Sequence, residues 1–335
     1  MKRTTIKDVA AYLHYSVSTV SRALSDDKYV HPETRKRVLE AAEKLGYRRN
    51  HIASRLRTGL YGTIGVVVNE MLTPFAASVI EGIQNVMHEH NIQVLIANSH
   101  DNPELERRNL LNMENSMVDG LIVGPCATTE NNEVFLRLQE KGFPLVFFSR
   151  SVRGLRVPRV VVNDYSKAFF LMDHFLHSGR RRIVHIRGPH ALTNFDDIYK
   201  AYQDAHAKYG LEVDRSLVIT SDVSVNEGRR TAMFLLDSGM EFDAVFACSD
   251  LLAIGVMNTL RDNNVSVPED VAIAGFSGSP LSQLVYPALT TVEPDLFDMG
   301  EKSARLLLQM IQLSCVEADT TIIVDSRIQL RGSSH

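Results

Sequence analysis

From Thr63 onward the chain alternates short apolar runs with amphipathic segments, a texture that few folds can accommodate. Four runs come first: T-I-G-V-V-V (63–68), I-Q-V-L-I-A (92–97), V-D-G-L-I-V (118–123) and P-L-V-F-F (144–148). They are too short for helices and largely apolar, as strands covered on both faces by helices must be. The pattern then restarts with R-V-V-V-N-D, R-I-V-H-I-R, S-L-V-I-T, D-A-V-F-A-C and D-V-A-I-A-G-F, a second set of five. The expected fold is α/β, with two open parallel sheets forming a two-lobed body. Ligands of such sheets bind beyond the carboxyl ends of the strands, here the cleft between lobes. We place the body at 61–335, with lobe 1 at about 61–162 and 292–335 and lobe 2 at about 163–291.

The first 48 residues read differently. Thr5 followed by Asp8 starts a helix, the carboxylate lying at its positive end, and Ile6, Val9, Ala10 and Leu13 share one face. His14 and Tyr15 form a turn. Ser16 can cap a second helix that turns Val20, Ala23 and Leu24 inward and Val17, Ser18, Thr19, Ser21 and Arg22 outward. A third helix runs from about Pro32 to Leu45, with Val38, Leu39, Ala42 and Leu45 inward and Gly46 as its stop. Two short helices around a tight turn make a helix-turn-helix, which brings DNA forward as a partner. Any small three-helix module would share the caps, so charge has to decide. Residues 1–60 hold 13 Lys and Arg against 6 Asp and Glu, a net of +7, whereas the remainder holds 23 against 34, a net of −11. A basic head on an acidic body is what phosphate binding by one domain produces.

The phrases T-I-K-D-V-A, S-x-x-T-V-S-R-A-L and P-E-T-R-x-R-V-L-x-A-A-x-x-L-G-Y (32–47) occur in the order and spacing of the LacI family of bacterial transcription regulators, which this chain resembles. S-D-L-L-A-I-G, V-P-E-D-V-A-I-A-G-F and P-A-L-T-T-V extend the resemblance through the body, which is similar to periplasmic binding proteins. His14 departs from the family, which usually has glycine at that turn; histidine tolerates a left-handed backbone better than most residues. The resemblance implies a homodimeric repressor of a metabolic, carbohydrate-related operon. It would read operator DNA and answer to a small molecule in the cleft. It further implies base contacts from Val17, Ser18 and Arg22, phosphate contacts from Ser16, Thr19, Ser21 and Asn50, and a DNA surface that includes Thr5 and Ala53. An arginine can grip guanine O6 and N7 together, while valine offers only apolar contact.

Residues 49–60, ending R-L-R-T-G-L, are too short to stay helical alone, below the roughly 12 to 15 residues at which isolated helices become marginal. A flexible basic linker is the plain reading; the resemblance implies a hinge helix whose Leu56 wedges between base pairs. It also implies a dimer interface involving the helix from Pro74 to about Glu89 and the one after it. In the cleft, the places where sugar-binding members carry two carboxylates, an arginine and an aromatic platform hold Ser149, Ser277, Ile198 and Val223, whereas Phe75, Asn194 and Asp250 remain. Ordinary unmodified sugars are therefore expected to bind weakly, pointing to a less polar, atypical or absent effector.

Other classes fare worse. G-F-S-G-S (275–279) resembles a nucleophile elbow but has Ser279 where G-x-S-x-G needs glycine. His174 and His177 could share a metal, yet no carboxylate or thiol at matching spacing completes the set, and solvent-facing histidines are the reading. No enzyme, metal or cofactor is expected. A solute-binding protein would explain the body without the basic head. Cys126, Cys248 and Cys315 are scattered and odd in number, as in a cytoplasmic chain with reduced thiols, and no apolar stretch or export signal argues otherwise.

Overall fold

The structure, a computed structural model, describes residues 4–24, 29–47, 60–189, 192–313 and 316–335. The chain divides into two compact units, Met1–Tyr61 and Gly62–His335.

The head is built from α1 (Ile6–Leu13), α2 (Val17–Leu24) and α3 (Pro32–Lys44). Thr5 donates its N–H and its hydroxyl to Asp8 Oδ2, both at 2.7 Å, which fixes the start of α1. His14 ends it in the left-handed region at φ 55°, ψ 34°, so the turn does form without glycine. Pro32 occupies the first turn of α3, and Gly46 follows at φ 61°. Val9, Ala10, Val20, Ala23, Val38 and Ala41 form the core, with Ile6, Leu13, Leu24 and Leu45 packed around it. Leu39 corrects the expected inward face: it is 49% exposed. The buried stripe of α3 runs through Val38, Ala41 and Ala42, the i, i+3, i+4 set, and Leu39 lies a hundred degrees off it. Residues 49–59 of the expected hinge, including Asn50, Ala53 and Leu56, lie outside the described residues.

In the body, β1 (Thr63–Val68), β2 (Gln93–Asn98), β3 (Leu121–Val123), β4 (Leu145–Phe148), β5 (Arg159–Val162) and β11 (Thr321–Val324) form one parallel sheet in the order β11-β5-β4-β3-β1-β2. The R-V-V-V run thus belongs to the first sheet and not to the second set: Phe147 pairs with Arg159 and Phe148 with Val160. An apolar run is equally suited to either sheet, and only ladder pairing decides. Helices α4 (Pro74–Glu89) and α11 (Leu296–Leu313) cover one face of this sheet, α5 (Pro103–Asn115) and α6 (Asn132–Glu140) the other. The second sheet has four parallel strands in the order β7-β6-β8-β9: β6 (Ile183–Arg187), β7 (Val218–Thr220), β8 (Ala244–Ala247) and β9 (Ala272–Ala274). Around it lie α7 (Asp164–His177), α8 (Thr193–Lys208), α9 (Val225–Asp237) and α10 (Asp250–Asp262). The chain crosses between lobes after β5 and through an antiparallel pair, β10 (Thr291–Pro294) with β12 (Ser326–Gln329).

Each lobe contains one helix pair that meets at glycines. A Cβ built on Gly82 of α4 would stand 2.2 Å from Phe297 O, and one on Gly300 of α11 2.2 Å from Val79 O. In lobe 2 a Cβ built on Gly228 of α9 would stand 2.2 Å from Leu252 O, and one on Gly255 of α10 2.2 Å from Val225 O. Backbone touches backbone at both crossings, so no side chain fits there.

Candidate DNA-reading face and inter-lobe cleft

The outer face of α2 is set by its cap. Ser16 Oγ accepts the Thr19 N–H at 3.0 Å and lies 2.7 Å from Ser18 Oγ and 2.8 Å from Thr19 Oγ1, so three hydroxyls cluster at the positive end of the helix. Val17 is 42% exposed, and Ser18, Ser21 and Arg22 are exposed with it. Burial of Val20 and Ala23 on the opposite side holds this surface outward. Thr5 is exposed at the start of α1. Hydroxyls and a helix amino end suit phosphate oxygens, and the arginine fork suits a base edge.

The cleft lies at the carboxyl ends of both sheets. Ser149 follows β4 with φ 61° and is half-buried. Arg150 Nη1 donates to Asp101 Oδ1 at 2.8 Å and to Pro125 O at 3.1 Å. The next residues reach across to lobe 2. Ser151 O accepts the Thr193 N–H at 3.0 Å, Val152 forms an antiparallel bridge with Leu192, and Arg153 pairs with Asp196. Arg187, at the end of β6, holds the other oxygen of Asp196 at 2.9 Å and lies 4.6 Å from the centre of the Tyr199 ring. Cys248, the buried residue after β8, senses both Arg150 and Arg187, yet burial pushes its thiol up to about 12. Two guanidinium groups, one from each lobe, thus lie close enough to Cys248 to act on its thiol. Asn194 lies near the start of α8, and its Oδ1 is buried with no hydrogen-bond partner among the described residues. Phe75 sits in the first turn of α4, partly buried against the core of lobe 1. Val223 packs partly on the apolar core, and Ser277 is half-buried with its Oγ accepting the Asp250 N–H at 3.3 Å.

Two expected cleft residues are placed elsewhere. Ile198 is 1% exposed, because Ile198, Ala201, Tyr202 and Ala205 form the inward stripe of α8. Asp250 is fully buried, and neither oxygen is offered to a ligand. Thr291 Oγ1 donates to its Oδ1 at 2.5 Å and the Ser279 N–H to its Oδ2 at 2.6 Å, tying α10 to strand β10 and to the loop after β9. Burial pushes this carboxyl up to about 6, against the pull of those hydrogen bonds. Of the two histidines read as solvent-facing, His177 is exposed and His174 is half-buried, its Nε2 lying 3.3 Å from Ser334 O and its ring meeting that of His335 edge-on. Among the described residues no group of three His, Cys, Asp or Glu side chains could hold a metal ion, and no helix is long and apolar enough to cross a membrane.

Sequence reasoning passed over Arg150, Arg153, Arg187 and Asp196. F-F-S-R and R-G-P contain two of them in plain view, but nothing in local spacing brings them together.

Comparison with known proteins agrees with this architecture. Residues 5–50 match the pattern described as "Bacterial regulatory proteins, lacI family", and residues 172–334 match the "Periplasmic binding protein-like domain". The chain is 30% identical over 309 residues to the ribose operon repressor of Halalkalibacterium halodurans, covering 92% of this chain and 91% of that one. It is 30% identical over 331 residues to catabolite control protein A of Priestia megaterium, covering 98% and 99%. Among solved structures, the transcriptional regulator CelR in complex with cellobiose superposes with a TM-score of 0.74 at 27% identity, covering 99% of this chain and 100% of that one. A basic helix-turn-helix head on a two-lobed body, shared nearly end to end with these regulators, means that the chain belongs to the lacI family of bacterial regulatory proteins and is a DNA-binding transcriptional regulator.

Proposed function

We propose that the chain is a repressor of a carbohydrate-related operon, acting in the cytoplasm as a homodimer on a near-palindromic operator under control of a small molecule in the inter-lobe cleft. The observation that carries this reading is the exposed face of α2, where Val17, Ser18 and Arg22 stand clear of the core beside the Ser16–Thr19 hydroxyl cluster. In the proposed complex these three meet base edges, Ser16, Thr19, Ser21 and Asn50 meet phosphates, and Ala53 and Leu56 of the linker lie against the DNA, Leu56 as a wedge between base pairs. Two-fold half-sites favour the dimer. The names of the relatives support a sugar-related operon, ribose in one case and cellobiose in another. No catalytic role is assigned to any residue.

Genome-wide mapping of bound sites, followed by mobility shifts on the recovered promoters, tests the proposal. The expected outcome is a palindromic motif upstream of carbohydrate genes, with binding about 10³-fold or more tighter than to random duplex. Uniform binding to all sequences would overturn it.

A further inference from the structure

We propose that the cleft takes a small hydroxylated oxyanion, a polyol bearing a phosphate or carboxylate group, with Arg187 as the residue that selects for the charge. The proposal rests on the effector-controlled reading given above and names the class of effector.

Arg187 is 5% exposed, and its Nε is buried without a hydrogen-bond partner among the described residues. A desolvated guanidinium N–H left unpaired is costly, more so for a charged group than for a neutral one. Its neighbour Asp196 cannot neutralise it fully, because the same carboxylate also serves Arg153 from the opposite lobe. Two guanidinium groups share one carboxylate, and of the two Arg187 is the buried one, its side chain 6% exposed against 60% for Arg153. The other carboxylates named in the cleft are already committed. Asp101 is held by Arg150 and by the Ala127 N–H, and Asp250 by Thr291 and Ser279.

The second unsatisfied group defines the rest of the ligand. Asn194 lies two positions before Asp196 on the same helix, and its orphaned Oδ1 calls for a donor such as a hydroxyl. A ligand that supplies an anionic acceptor to Arg187 Nε and a hydroxyl donor to Asn194 Oδ1 satisfies both orphans and the excess charge. A neutral sugar satisfies only the hydrogen bonds. The absence of charged groups at Ser149 and Ser277, which would repel an anion were they carboxylates, fits the same ligand.

Isothermal titration of the full chain tests this, with glucose 6-phosphate, ribose 5-phosphate, gluconate, glucose, ribose and inorganic phosphate as probes. We expect at least one hydroxylated oxyanion to bind about 100-fold more tightly than its neutral parent and than inorganic phosphate, a ratio in the range of one charge-assisted hydrogen bond. Arg187→Met should lose that margin and Arg187→Lys recover part of it. Asn194→Asp, nearly the same shape, should weaken oxyanion binding far more than neutral-sugar binding, with thermal melts confirming that each variant folds. A neutral sugar that binds as tightly as its charged derivative, indifferent to Arg187→Met, would overturn the inference while leaving effector control intact. Inorganic phosphate binding as tightly as the esters would overturn it as a bare anion site. If no probe of either kind binds at roughly millimolar concentration, the effector reading falls, and this inference with it.

Discussion

Asp250 and His185 act in opposite directions on the pH dependence of the body's stability, and removing either should expose the other. Asp250 is buried, which pushes its carboxyl up to about 6 from an ordinary 3.8. At about 1.4 kcal/mol per pH unit, the folded chain holds that proton about 3 kcal/mol more tightly than the unfolded chain. This favourable contribution is fully present below pH 3.8 and is lost as pH rises through 6. His185 is buried too, stacked on Tyr199, Tyr202 and Phe246, with Nδ1 3.0 Å from Phe246 O; burial holds it down to about 4 from 6.5. Its neutral ring favours folding above pH 6.5, and about 3 kcal/mol is lost as pH falls through 4. Between about pH 4 and 6 the two slopes cancel. Asp250→Asn removes the first while keeping its hydrogen bonds, since the amide oxygen can accept from Ser279 and the amide nitrogen can donate to Thr291 Oγ1. Urea unfolding across this window, followed by circular dichroism, gives variant-minus-wild-type stability, and the subtraction cancels other groups that burial shifts, such as Asp197, pushed up, and His206, pushed down. That difference should grow by about 3 kcal/mol between pH 4 and 7 for Asp250→Asn and shrink by a similar amount for His185→Phe. A flat difference for Asp250→Asn would mean that the carboxyl is not locked in the dry junction between α10 and β10.

Arg22→Ala should cost about 1 to 3 kcal/mol per half-site and erase operator preference while leaving salt-sensitive binding to any duplex; a mobility shift that still discriminates would remove Arg22 as a base reader. Leu56→Ala should reduce DNA bending in a circular-permutation gel without lowering the melting temperature of the free chain, and equal bending would restore the plain-linker reading of 49–60. Gly82→Ala needs more than 1 Å of extra space where its Cβ would stand 2.2 Å from Phe297 O, so a loss of about 1 to 3 kcal/mol or more is expected in a thermal melt, and an unchanged transition would contradict the close α4–α11 crossing. Arg153→Ala removes a partly exposed ion pair worth about 0 to 1 kcal/mol, so global stability should hardly move; hydrogen exchange at the Thr193 amide should nevertheless quicken, and unchanged protection would mean that the ion pair does not hold the lobes together.

What the sequence determined by itself was everything enforced within a turn or a strand. Thr5 with Asp8, Ser16 with Thr19, Pro32 and Gly46 bracket the helices of the head through contacts three or four residues long, and His14 takes the left-handed turn its own backbone permits. Runs such as T-I-G-V-V-V announce buried strands for the same local reason, and the outward face of α2 follows from its helical periodicity. The tertiary structure decided the rest, because the deciding partners are far apart in the chain. Val160 could have joined either sheet until it paired with Phe148 and Ile322. Asp250 looked available to a ligand until Thr291, 41 positions on, claimed one of its oxygens. Gly82 and Gly300 acquire a shared purpose only where two helices touch, and Arg153 and Arg187 become one charged group only because Asp196 stands between them. Propensity and capping act through the nearest few bonds; ladder pairing, close packing and the sharing of charge exist only after distant segments have met, which is why the exposed face of α2 was legible in the sequence and the ion pairs shared through Asp196 were not.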